Sequence, residues 1–228
     1  MNNITPVVKN LLIINILLFA ATWLFQAQGI PFTEYLAVYY FDSPFFRVWQ
    51  PVTYMFMHAN MMHILFNMYA LYMFGSILEA HWGGKRFLNF YLITGLGALA
   101  LQWAVQAIEV YQITGSAVNQ IAALEALGNQ TIYEIYGGPM VGASGAIFGL
   151  LVAFAMLYPN LELYIMFIPV PVKAKYIVPV YIAIELFLGV GKIEGDSVAH
   201  FAHLGGALIG YILVKLWRNK NTYYDYYE

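Results

Sequence analysis

Ser144 opens an apolar segment that reads Gly142-Ala143-Ser144-Gly145-Ala146-Ile147-Phe148-Gly149. A second apolar segment opens with His200-Phe201-Ala202-His203-Leu204-Gly205-Gly206, and a third with His63-Ile64-Leu65-Phe66-Asn67, just after His58. A serine hydroxyl is a poor nucleophile until a base takes its proton. Imidazole titrates near neutrality and later returns the proton to a leaving amine, which makes His203 the candidate base. The resulting tetrahedral adduct needs donors for its oxyanion. Backbone N–H groups at the start of the Ser144 helix are such donors, because they are unpaired and lie at the positive end of the helix dipole. His63 and Asn67, spaced i, i+4, share one helical face and add side-chain donors. Phe148, one turn beyond Ser144, is placed to stack on the imidazole and fix its plane. No acidic residue adjoins His203 in sequence, so the expectation is a Ser–His pair with no carboxylate orienter. Glu185, in the preceding apolar segment, is the nearest acidic candidate, and no sequence feature supports it.

The elements that carry these groups are apolar and of helical length. Of 228 residues, 61% are hydrophobic and only 10% charged, against about a quarter charged in an ordinary soluble domain. The composition predicts an all-α, polytopic membrane helical bundle, a single domain over 1–228 with six spans. These lie near 10–28, 61–80, 87–108, 143–158, 174–190 and 199–217, each close to the roughly 20 residues that cross a bilayer. The first span is read as a membrane helix instead of a cleaved signal, because its apolar run is long and no small-x-small site follows. A turn at the interface is expected over Leu161–Val172, with Pro169 and Pro171. A short surface helix is expected around Ser116–Leu127. A net charge of −2 without a basic stripe excludes nucleic acid as the expected partner, and the absence of cysteine excludes disulfides and thiolate chemistry.

Ten basic residues set the orientation. With a cytoplasmic amino terminus, Lys9, Lys85, Arg86, Lys173, Lys175, Lys215, Arg218 and Lys220 lie inside, and only Arg47 and Lys192 outside. That bias predicts both termini in the cytoplasm, in a bacterial inner membrane. Spans two, four and six then all enter from the outer face. Ser144, His203, His63 and Asn67 fall within their first two turns, roughly 5–10 Å below the outer boundary. A lone serine or histidine in a membrane helix is usually packing or a hydrogen bond between helices; four polar groups at one depth favour chemistry. Gly206 and Gly210 repeat on the His203 face, and Gly142, Ala143, Gly145, Ala146 and Gly149 surround Ser144, so backbones can approach closely. Between Pro31 and Phe56, ten aromatic residues mark a loop lying partly in the outer leaflet.

At these residues the sequence resembles the rhomboid intramembrane serine proteases. Gly142-Ala143-Ser144-Gly145 matches the family's nucleophile motif, His203-Leu204-Gly205-Gly206 its base motif, and His58-(x)4-His63-(x)3-Asn67 its oxyanion helix. Gly75-(x)3-Glu79 also fits. The resemblance implies Ser144 as nucleophile, His203 as general base, and an oxyanion hole of His63, Asn67 and the Ser144 backbone. It implies substrates that are single-span membrane proteins cut near their outer end, and no metal or organic cofactor. The chain departs from the family at Trp49-Gln50, where many members have Trp-Arg, at Phe148 in place of Tyr, and at His200, expected to hydrogen bond near the mouth of the site. Two other classes compete: a non-catalytic binder of membrane helices, and a metalloenzyme or transporter using His58, His63, His200, His203 and Glu79.

Overall fold

The computed structural model describes residues 4–118, 120, 125, 128–164, 171–191 and 199–217. Among them the chain is a helical membrane bundle with one two-residue ribbon. Helix α1 (Pro6–Gln26) is followed by short α2 (Phe32–Leu36) and α3 (Gln50–Thr53), then α4 (Met61–Trp82) and α5 (Gly84–Thr114). Next come α6 (Gln130–Gly137), α7 (Ser144–Leu157), α8 (Ala174–Gly191) and α9 (His200–Trp217). Four of these, α1, α4, α5 and α8, are long and apolar enough to cross a membrane. The α7 helix has 14 residues and α9 has 18, with two histidines at its start.

Local chemistry sets the boundaries. Pro6, at the first position of α1, starts that helix earlier than the apolar run suggests. Asn60 caps α4 by accepting the His63 N–H at 2.9 Å, which fixes His63 in the first turn and Asn67 one turn further on. A π-helical turn over Leu71–Gly75 interrupts α4. Gly83, at φ +78°, closes α4 and turns straight into α5. The α5 helix continues to Thr114, past the apolar stretch that ends near 108, and stops at left-handed Gly115. Most of the expected Ser116–Leu127 helix, and residues 165–170 of the expected turn, lie outside the described residues. What is described of that turn is an antiparallel ribbon, pairing Glu162 with Lys173 and Leu163 with Val172. Lys192, Arg218 and Lys220 of the charge count also lie outside.

The centre of the bundle is a close contact of α5, α7 and α9 built on small residues. A Cβ on Gly206 would collide with the Gly145 carbonyl, and one on Gly210 would sit 2.8 Å from Gly149 Cα. On the other side, a Cβ on Gly145 would lie 2.5 Å from Ala98, and one on Gly149 2.7 Å from Thr94. This packing delivers the start of α9 to the start of α7.

At one end of the bundle, Val7 and Val8 of α1 donate their N–H groups to Glu79 of α4, and Arg86 of α5 donates to the Trp217 carbonyl. Tyr158, just past α7, pairs with His81 of α4. The starts of α4, α7 and α9 lie at the opposite end. The aromatic loop is anchored there by buried Gln50, whose side chain accepts from Arg47 N–H and donates to the Glu34 and Phe45 carbonyls. Glutamine thus ties this loop through three hydrogen bonds to backbone groups.

Candidate active site

Ser144 is the first residue of α7. Its backbone entry is unusual: Gly142 has φ +142°, and its N–H donates to the Tyr54 carbonyl at 2.9 Å. Any Cβ at Gly142 would lie 3.0 Å from His63 Cε1 and Nε2 and 3.3 Å from Ser144 Oγ. Glycine therefore keeps open the space between His63 and the serine hydroxyl. Across the small-residue contact, His203 Nε2 is 2.8 Å from Ser144 Oγ. Phe148 lies flat on the imidazole, with centroids 4.3 Å apart and planes 9° apart. Tyr181 of α8 also stacks on Phe148, at 5.5 Å and 6°.

His63 receives a long hydrogen bond from the Ala59 N–H at its Nδ1, 3.4 Å. That leaves Nε2, on the Gly142 side, as the N–H nitrogen of the neutral ring. Asn67, on the same face of α4, is buried, and its amide Nδ2 makes no hydrogen bond. A buried amide without an acceptor is costly, so this is a donor held in reserve. His58 packs edge-on to His63 at 5.0 Å. Burial, reinforced by His63, pushes His58 down to about 3, so the ring stays neutral.

The structure departs from the sequence expectation on one point of consequence. A carboxylate does face the imidazole: Glu185 Oε2 lies 2.9 Å from His203 Nδ1 and 2.6 Å from His200 Nδ1. Glu185 is 18 residues before His203 on the preceding helix, so adjacency along the chain gave no sign of it. The available signal was energetic, since an acid within an apolar span is a functional candidate by default. His200 therefore meets the base through a shared oxygen, its ring 6.4 Å from His203 and perpendicular to it.

The five residues of the metal hypothesis do not assemble. Glu79 is at the other end of the bundle, committed to α1. Among the described residues, Glu185, His200 and His203 are the three whose potential ligand atoms lie within 4.8 Å of one another. The two Nδ1 atoms are both already bonded to Glu185 Oε2.

A model of the rhomboid domain matches residues 46–220. The chain belongs to the rhomboid family. It is 30% identical over 213 residues to chloroplastic rhomboid-like protein 11 of Arabidopsis thaliana, covering 90% of this chain and 63% of that one. The rhomboid protease AarA of Providencia stuartii is 29% identical over 178 residues, 72% of this chain and 54% of its own length. Mitochondrial rhomboid protein 1 of Saccharomyces cerevisiae is 28% identical over 157 residues, 68% and 38%. The chain thus spans between 38% and 63% of the length of these relatives. Family and helix composition support a membrane protein. Chloroplastic and mitochondrial relatives beside a bacterial one do not support a bacterial inner membrane in particular.

Proposed function

We propose that this rhomboid is a serine endopeptidase that cuts transmembrane segments of single-span membrane proteins near the outer leaflet. In this reading one domain of six spans presents Ser144 as nucleophile and His203 as base. The observation that carries it is the 2.8 Å approach of His203 Nε2 to Ser144 Oγ, beside a space that Gly142 leaves clear. A scissile carbonyl in that space is attacked by Oγ as its proton passes to Nε2. Charge developing on the carbonyl oxygen meets the Ser144 N–H, His63 Nε2–H and Asn67 Nδ2–H. The C–N bond then breaks, with His203 giving its proton to the amine. Water, activated by the same base, hydrolyses the acyl ester and frees the serine. The orientation follows the basic residues, with the Glu79 end on the cytoplasmic face or its organellar equivalent.

A fluorophosphonate probe tests this directly. The purified chain in detergent should label at Ser144 and cut a single-span substrate, and Ser144→Ala should abolish both. An unlabelled wild-type protein that still binds membrane helices would replace the protease with a binding protein. Activity lost to a chelator would favour a metal-dependent enzyme.

A further inference from the structure

Resting on the assignment of Ser144 and His203 above, we propose that Glu185 is the positioning residue of the base, and that helix α8 holds His203 in register through it. An ionised carboxylate offers only acceptors. The two imidazoles that approach Oε2 at 2.6 and 2.9 Å must therefore each present Nδ1–H. For neutral His203 this places the proton on Nδ1 and the lone pair on Nε2, the nitrogen 2.8 Å from Ser144 Oγ. The other tautomer would aim a lone pair at the carboxylate and an N–H at the hydroxyl, and could not take the serine proton.

Orientation has two parts, and α8 contributes to both. The stack Tyr181–Phe148–His203 sets the plane of the imidazole. Stacking leaves the ring free to rotate within that plane, and the Nδ1–H bond to Glu185 at the ring edge stops this rotation. Tyr181 and Glu185 are spaced i, i+4 and so share one face of α8. When Oγ passes its proton to Nε2, the imidazolium forms 2.9 Å from an anion already in place, and no proton moves to Glu185. His200 holds the same oxygen at 2.6 Å and fixes where it sits. Only 17% of the apolar stretch of α8 is buried, against 33% for α4 and α5. With so little packing, the two bonds from α9 are a substantial part of what keeps α8 aligned with the site.

The test is Glu185→Gln in the full chain, which keeps shape and removes the second acceptor oxygen. We expect kcat on a transmembrane substrate to fall by about 100-fold or more, since the equivalent acid-to-amide change in a Ser–His–Asp site costs about 10⁴. KM should stay within about two-fold. Phosphonate labelling of Ser144 should slow in parallel, and Glu185→Asp should recover part of the rate. Nitrogen-15 spectra of histidine-labelled wild-type protein should show His203 protonated on Nδ1, a readout that holds however the variants fold. Wild-type kcat in Glu185→Gln, a rise in KM at constant kcat, or an Nε2–H tautomer in wild type would each overturn the proposal. Those results would leave the protease reading standing, whereas a wild-type protein that fails to label at Ser144 would defeat that reading itself.

Discussion

Among the described residues, two carboxylates are buried inside membrane helices, at opposite ends of the bundle. Glu79 in α4 is 4% exposed and Glu185 in α8 is 7% exposed. An acid costs about 2.5–3.5 kcal/mol at the centre of a bilayer on the mildest measure, which is an upper figure on that scale for these two, nearer the ends. Each receives two charge-assisted hydrogen bonds, at about 1.5–3 kcal/mol apiece, enough to offset that cost. What differs is the donor. Glu79 takes the Val7 and Val8 backbone N–H groups at 2.9 and 2.8 Å, two of the unpaired donors at the start of α1. Those donors have one state, and the result is a fastening. Glu185 takes two imidazoles, one of which also reaches a serine. Imidazoles have two tautomers and a charged form, so the same kind of bond there selects a chemical state. The donors, more than burial or hydrogen-bond number, separate a structural carboxylate from one that serves a reaction.

The sharpest way to break this contrast is to delete the base. His203→Ala should reduce cleavage and Ser144 labelling by at least about 10³-fold, nearly matching Ser144→Ala, because the two groups act as a unit. The protein should stay folded in detergent, since the Gly145–Gly206 contact is untouched. If His203→Ala retained wild-type turnover, Glu185 and its histidines would be a fastening like the one at Glu79.

Asn67→Ala sharpens the same comparison with a smaller effect. The Nδ2 group of Asn67 is buried without a partner, so in the proposed reaction its worth is realised when an oxyanion forms. Turnover should fall about 10–100-fold, as for one of several such donors, and stability should hold or rise as a buried orphan donor is removed. A stability loss with unchanged kcat would make Asn67 a packing residue.

How much of this was legible follows from where each partner lies. Ser144, His63, Asn67 and His203 announce themselves as polar groups in apolar runs, and the periodic glycines of α7 and α9 announce the contact that joins them. The third member of that contact, the Gly97–Ala98 stretch of α5, lies in a long apolar run that gives no particular emphasis to it. Glu185 was visible as an acid in a span, but its partners lie on the next helix, and sequence spacing does not reach from one helix to another. The partners of Glu79 are backbone groups, which any residue supplies, so nothing at Val7 or Val8 could have marked them. Helix ends were misjudged where a residue type and not hydropathy sets them: Pro6 starts α1 before the expected 10, and Gly83 ends α4 past the expected 80. They were misjudged also where hydropathy fades before the helix does, as between 108 and Thr114.

Glu79→Gln is the complement and should have the smallest effect on turnover. Its amide oxygen can accept one of the two α1 N–H groups, but the amide nitrogen then faces the other, leaving donors opposed in a buried place. The loss should be about 1–3 kcal/mol of stability, seen as a lower unfolding midpoint in detergent. The rate per phosphonate-titrated active site should stay within about two-fold of wild type, because the hydrogen bonds of Glu79 go to the start of α1, at the end of the bundle away from Ser144. Measured beside Glu185→Gln, the pair forms a cross-over: one variant loses stability and keeps chemistry, while the other loses chemistry in a protein that remains assembled. A fall in turnover per active site for Glu79→Gln as large as that for Glu185→Gln would dissolve the distinction, since the anchoring of α1 at the far end would then be setting the geometry of the base.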